Sequence, residues 1–217
     1  MFSLTRKLVP INRQFSCLVR KHAPVWKSDA AMPDGSFKTL SLDQYRGKYL
    51  VMVFYPLDFT FACPTELTSF SDMSGEFAKA NSCQIVGVSI DSKFSHLQWM
   101  NQPRNKGGLG KLNFPLIQDI TKSISKDYGV LVEDEKDGMN GIALRGSIII
   151  DEKGVVRHTS ITDEQVGRGV EEILRLVQAF QFADANAGLV CPENWKKGDK
   201  TMKGSPSGSQ EYFNKLS

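Results

Sequence analysis

The run YLVMVFY, residues 49–55, constrains this chain more than any other stretch. Aromatic and β-branched side chains dominate it, and no polar residue alternates with them. A strand with one wet face alternates; a strand covered on both faces reads as a continuous apolar run. The run is also far shorter than the roughly 18 apolar residues that signal a membrane helix, and no other run approaches that length. Residues 48–55 are therefore read as a strand buried on both faces, which belongs in a layered α/β domain.

The rest of the chain fits around that strand. From Thr65 to Ala80 the period changes: Leu67, Phe70, Met73 or Ser74, and Phe77 share one helical face. QIVGVSID (84–91) is a second buried strand. FSHLQWMNQ (94–102) reads as a helix ended near Pro103, FPLIQD (114–119) as a short strand, and ITKSISKDYG (120–129) as a helix closed by Gly129. RGSIIID (145–151) and VVRHTSI (155–161) flank a turn and predict a hairpin. Residues 167–183 carry the clearest amphipathic helix, with Val170, Ile173, Leu174, Val177 and Phe180 on one side. Upstream, two extended pieces flank the turn signal Pro33-Asp34-Gly35. The order predicts one α/β domain with a mixed central sheet flanked by helices. Residues 23–185 form that domain, and the Gly-, Ser- and Lys-rich residues 186–217 form a C-terminal arm.

Charge sets the opening segment apart. The chain carries 27 basic and 24 acidic residues, a net +3, too little to suggest a nucleic-acid partner. Arg6, Lys7, Arg13, Arg20, Lys21 and Lys27 fall before the first acid, Asp29, and leave the remainder at −3 (21 basic against 24 acidic). Residues 1–22 are basic, acid-free and without a continuous apolar core, the composition of a mitochondrial transit peptide rather than a secretory signal. A disordered basic tail on a cytoplasmic protein is the alternative.

Four cysteines, Cys17, Cys63, Cys83 and Cys191, form no CxxC pair, so neither a zinc ribbon nor a thioredoxin dithiol is signalled. His22, His96 and His158 have no metal-ligand spacing. Cys83 reads as structural, and Trp195 as packing for the arm. Cys63 is different. In YPLDFTFACPTE (55–66) a strand ends, a loop follows, and Pro64 suits the first turn of a helix. Unpaired N–H groups and the positive end of the helix dipole favour an anion there, and a thiolate is that anion. Thr60 offers a hydroxyl to the sulfur or to a bound oxygen. Arg145 is an odd charge at the start of a core strand, and Arg168 opens the last long helix. The residues alone leave two readings: a reactive thiolate on a thioredoxin-like sheet, or a buried structural cysteine with Arg145 paired to a core carboxylate.

FYPLDFTFACPTE (54–66) resembles the active-site signature of the peroxiredoxins, and GLVCPENW (188–195) the second-cysteine motif of their two-cysteine class. KGGLG (106–110), IALRGSIIIDEKGVVR (142–157), VGRGVEEILRLVQAFQ (166–181) and EYF (211–213) follow in the expected order, so the resemblance spans about residues 23–217. It implies a thioredoxin-like fold with a C-terminal extension and a metal-, haem- and flavin-free peroxidase acting on hydrogen peroxide and organic hydroperoxides. Cys63 would be the peroxidatic nucleophile, oxidised to a sulfenic acid. Thr60 and Arg145 would hold the peroxide, Pro56 would shield the thiolate, and Glu66 and Arg168 would position Arg145. Cys191 would be the resolving thiol, reaching Cys63 of a partner in a head-to-tail homodimer that assembles into rings of ten or twelve. Thioredoxin would reduce the disulfide. Gly107, Gly108, Leu109 and Gly110, with Tyr212 and Phe213, resemble elements that slow local unwinding and allow over-oxidation. A chaperone or peroxide-signalling role is the second reading. Two departures stand out: a long segment before Arg145, and a Gly/Ser-rich spacer before Tyr212 that loosens the arm.

Overall fold

A computed structural model describes residues 17–80 and 82–214. Residues 1–16, most of the segment expected to be a transit peptide, and the last three residues lie outside the described ones. Strands β1 (Lys27–Ala31), β2 (Phe37–Ser41), β3 (Leu50–Phe54), β4 (Gln84–Ser89), β5 (Leu116–Gln118), β6 (Arg145–Ile150) and β7 (Val156–Thr162) form one mixed sheet of order β2-β1-β5-β4-β3-β6-β7. The helices are α1 (Cys63–Asp72), α2 (Ser74–Lys79), α3 (Lys93–Asn101), α4 (Ser123–Asp127) and α5 (Val170–Ala185).

β3 lies at the centre, with every residue buried, and its alternation explains its composition. Val51, Val53 and Tyr55 face a core completed by Leu67, Phe70 and Phe77 of α1 and α2, Trp99 of α3, and Ile173 and Val177 of α5. Leu50, Met52 and Phe54 face a second core with Trp26, Ile124 and Tyr128. Each such side chain contributes about 1.5–3 kcal/mol on burial, which is why neither face tolerates a polar residue. β3 is parallel to β4, because α1 and α2 form the crossover between them. It is antiparallel to β6, so the start of β6 meets the end of β3.

Three expected boundaries shift for local reasons. The helix expected over 65–80 is two helices, broken at Met73. The Ser74 hydroxyl donates to Ser71 O at 2.7 Å and competes for a helical carbonyl there. The helix expected over 120–129 shrinks to α4, because Lys122 takes a left-handed conformation (φ 61°) and Asp119 caps Ile124 N and Ser125 N at 3.1 and 2.7 Å. Gly129, at φ 71°, ends that turn as expected. Arg168 does not open α5: the helix starts at Val170 with Gly169 as its N-cap, and the Arg168 amide is drawn to Glu66 instead. The hairpin at 145–162 forms, its turn held by Asp151 Oδ1 accepting from Lys153 N and Val155 N.

Beyond α5 the arm makes a small hairpin, β8 (Leu189–Val190) with β9 (Met202–Lys203), and a helix, α6 (Pro206–Phe213). The Gly/Ser-rich spacer is thus not loose chain. Ser205 caps α6 by accepting from Gly208 N at 3.1 Å, and Pro206 sits in its first turn. At the other end of the described chain, Arg20 N bonds Val156 O at 2.8 Å and Val156 N bonds Lys21 O at 2.9 Å.

Candidate active site

Cys63 occupies the first turn of α1 and is 0% exposed. The antiparallel register pairs Val53 with Ser147, which carries Arg145 past the end of β3 to the mouth of the Tyr55–Ala62 loop. Arg145 Nη1 donates to Cys63 Sγ at 3.4 Å and to Glu66 Oε2 at 2.7 Å. Its Nε donates to Glu164 O at 2.7 Å, which fixes the plane of the guanidinium. Glu66 lies one helical turn beyond Cys63 on the same face. Arg145 thus touches the thiol and pairs with a core carboxylate through the same nitrogen.

Arg168 closes the cluster. Its backbone N and Nε donate to Glu66 Oε1 at 2.6 and 2.9 Å, its Nη2 to Oε2 at 3.0 Å, and its Nη1 to Gly146 O at 2.5 Å. One carboxylate is thus shared by two guanidinium groups, all almost fully buried. Burial works against the Glu66 charge, but Arg168 and then Arg145 outweigh it and hold the carboxyl below its usual range. Burial likewise opposes the Arg145 charge, and the Cys63 sulfur and Glu66 outweigh it. Only one positive charge is neutralised by Glu66, so the surplus faces the sulfur.

The loop from Tyr55 to Ala62 carries the other expected residues. Pro56 is buried. Thr60 Oγ donates to Leu57 O at 3.0 Å, not to the sulfur, so the hydroxyl is left as an acceptor toward anything bound beside it. Phe61 is 94% exposed at the rim. Phe59 has φ 56°, a left-handed conformation that costs a non-glycine residue about 1–2 kcal/mol.

A buried polar network that sequence reasoning missed lies under this loop. Asp58 accepts from Tyr55 OH at 2.9 Å and sits 2.9 Å from His96 Nδ1. Its backbone N donates to Asp91 Oδ2 at 2.8 Å. The signal was an acid, Asp58, at the junction of an apolar strand and its loop. His96 itself is fully buried, with both ring nitrogens partnered.

Cys191 is not brought to Cys63. It follows β8, where its Sγ lies 3.7 Å from Ala179 O on α5. Ala179 is nine residues, or about 14 Å, along that helix from its start. Burial raises the Cys191 thiol pKa, with Arg175 opposing it. Both thiols are free.

Gly107–Gly110 do reach α1 indirectly. Leu109 is buried, its N bonds Trp99 O at 3.1 Å, and Arg104 joins Leu109 O to Asp72 at the end of α1. A Cβ on Gly108 would lie 2.0 Å from Gln102 O, so no side chain fits there. Gly108→Ala is expected to destabilise the fold by about 1–3 kcal/mol in urea titration. Tyr212 and Phe213 sit instead on α6, which packs on β9.

Cys83 is structural: burial pushes its thiol up to about 12. Trp195 packs the arm on α5, its ring 4.8 Å from that of Phe182. A groove of about 590 Å³ between α2, α5 and the arm is lined by none of the candidate site residues. No cluster of metal-ligating side chains occurs among the described residues.

A thioredoxin-like sheet that presents a buried cysteine on a helix start, under an arginine shared with a carboxylate, defines a thiol-redox protein. The sequence matches the model of the AhpC/TSA family over residues 19–159, and that of the C-terminal domain of 1-Cys peroxiredoxin over residues 179–215. It is 57% identical over 198 residues to the mitochondrial thioredoxin-dependent peroxide reductase of Mus musculus, covering 91% of this chain and 74% of that protein. The reduced 2-Cys peroxiredoxin of Plasmodium vivax superposes with a TM-score of 0.86 at 42% identity, over 92% of this chain and 100% of that one. The mitochondrial 2-Cys peroxiredoxin of Plasmodium falciparum superposes with a TM-score of 0.73 at 39% identity, over 81% and 100%. The chain belongs to the AhpC/TSA family, as a two-cysteine peroxiredoxin.

Proposed function

We propose that Cys63 is the nucleophile of a thioredoxin-dependent peroxide reductase. The chain is a peroxiredoxin peroxidase, and the observation that carries the assignment of Cys63 is the Arg145 Nη1–Sγ contact of 3.4 Å inside a buried charge cluster. The thiolate attacks one peroxide oxygen and the O–O bond breaks; Cys63 becomes a sulfenic acid, and the departing hydroxide or alkoxide takes up the proton that the thiol gave up on ionising and leaves as water or an alcohol. Arg145 donates to the oxygen on which negative charge builds. Thr60, its own proton committed to Leu57 O, accepts from the peroxide O–H. Pro56 screens the thiolate from water, and Glu66 with Arg168 positions Arg145.

The sulfenic acid condenses with the thiol of Cys191 from a second copy, releasing water and forming a disulfide that the thioredoxin dithiol reduces. A disulfide needs Cα atoms within about 7 Å, so the first turn of α1 must open to expose Sγ. Pairing of two copies, and their assembly into rings of ten or twelve, follows the family resemblance. After one equivalent of peroxide, non-reducing electrophoresis is expected to show a covalent dimer that Cys191→Ser abolishes. A dimer unchanged in Cys191→Ser would exclude this resolving role.

Gly107–Gly110, tied to the end of α1 through Arg104, and, by the family resemblance, Tyr212 and Phe213 slow the opening of α1 enough for a second peroxide to reach the sulfenate. Under excess peroxide with reductant turnover, mass spectrometry is expected to find Cys63 sulfinate; its absence would overturn this part. The basic, acid-free composition of residues 1–22 and the mitochondrial relatives support import into the matrix, with the mature chain used for antioxidant defence. A redox-linked chaperone or signalling role is the second reading. Holdase activity retained in Cys63→Ser would show it to be independent of catalysis.

A further inference from the structure

We propose that Asp58 and His96 are positioning residues of the peroxide reaction, a buried carboxylate–imidazole pair that seats the Tyr55–Ala62 loop and thereby aims Thr60 and Cys63. This rests on Cys63 being the peroxidatic thiol.

Asp58 is gripped from three elements. Its carboxylate accepts from Tyr55 OH at 2.9 Å, at the end of β3, and meets His96 Nδ1 of α3 at 2.9 and 3.1 Å. Its amide donates to Asp91 Oδ2 at 2.8 Å, and that oxygen also accepts from Ser89 Oγ of β4 at 2.9 Å. His96 Nε2 lies 3.2 Å from Ile117 O on β5. Each ring nitrogen therefore faces an acceptor oxygen, so the imidazole ties α3 to Asp58 on one side and to β5 on the other, with neither the His96 nor the Asp58 side chain exposed beyond 1%.

A buried polar network is a poor way to gain stability, because apolar replacements of like volume are often as stable; fully satisfied, its use is to specify one arrangement. Here the arrangement held is a strained one. The residue after Asp58 is Phe59, at φ 56°, with its ring 5.8 Å from that of Trp99, and Thr60 follows directly. Without the grip on Asp58 the loop relaxes out of the left-handed conformation at Phe59, and Thr60 turns away from the sulfur. α3 links this seat to the other control point, since Trp99 also bonds Leu109 N and Gly107 O.

The test compares Asp58→Ala with Asp58→Asn in the full chain. Asparagine keeps an oxygen that accepts from Tyr55 OH and His96 Nδ1–H; alanine keeps none. Stopped-flow oxidation of the reduced protein by hydrogen peroxide is expected to slow at least tenfold in Asp58→Ala and to recover to within about threefold of wild type in Asp58→Asn. Alkylation of Cys63 by iodoacetamide, which needs no peroxide geometry, is expected to hold or rise in both. Equal slowing of both reactions in Asp58→Ala, or no slowing at all, would overturn the proposal, as would an asparagine variant as slow as the alanine one. If Asp58→Ala does not fold, Tyr55→Phe, which removes one hydroxyl, replaces it and is expected to slow oxidation about threefold. Amide hydrogen exchange separates this seat from the chemistry of Cys63. Protection at residues 58–62 is expected to fall at least tenfold in the alanine or phenylalanine variant even if wild-type Cys63 proves unreactive to peroxide, and unchanged protection refutes the seat.

Discussion

Cys63→Ser is expected to leave no peroxide turnover above background in a thioredoxin-coupled assay, a loss on the order of a thousandfold or more. The reason is chemical rather than steric. Serine is nearly isosteric, and it keeps the helix start and the Arg145 contact geometry. Its hydroxyl does not ionise near neutral pH, and oxygen cannot pass through the sulfenic state that carries the electron pair from thiol to peroxide. Because serine is close to cysteine in volume and Arg145 can still donate to its oxygen, the substitution is expected to leave the thermal midpoint within about 2 °C of wild type. Turnover within tenfold of wild type would place the nucleophile elsewhere, and Cys83 and Cys191 would be tested next.

The second large effect is on the fold. Glu66→Ala removes the only carboxylate between Arg145 and Arg168 and leaves two buried guanidinium groups facing each other. Removing one partner of a buried charge network costs about 3–5 kcal/mol. For a domain of this size that is a fall of roughly 10 °C in melting temperature. Peroxide reactivity should fall with it, since Arg145 loses the carboxylate that holds its Nη1 beside the sulfur.

The pH dependence follows from the sign of the Glu66 shift. Its folded pKa is depressed by Arg168 and Arg145, so its contribution is complete above the unfolded value, about 4.3. It is lost as pH falls below that value and through the folded one. Between pH 5 and 8 the Glu66 contribution to wild-type stability is therefore flat. Below about pH 4 wild type should lose stability faster than Glu66→Gln, which has no proton to take up. Parallel acid melts of the two proteins check this, and identical slopes below pH 4 would show that Glu66 is not the group being titrated.

How far the site was legible in the chain differs residue by residue. Cys63 was legible because its cues are local: a buried strand, a loop and Pro64 within 15 residues put the thiol at a helix start. Arg145 was legible as an anomaly, a charge opening a core strand. Its partner Glu66 came only from the family resemblance, because it lies 79 residues away and the β3–β6 register brings the two together. Arg168 was placed on α5 by periodicity, but it lies before the helix because a tertiary bond to Glu66 claims its amide. Asp58 passed as an ordinary loop acid, since nothing near it in the chain announces His96 on α3. The break at Met73 and the short α4 turned on single serine and aspartate side chains that compete for backbone groups, a contest periodicity does not see.

The sequence by itself determined the architecture around β3, the helix start at Cys63, the arginine strand and hairpin, and a separate arm carrying Cys191. These follow from burial periodicity and from Pro and Gly backbone limits, which act over a few residues. The tertiary structure alone decided that one carboxylate serves two arginines, that Asp58 and His96 lock the loop under Thr60, and that Cys191 rests on α5 away from Cys63. Each of these depends on which distant side chains share a buried volume, and that is set by strand register and helix docking rather than by neighbours along the chain.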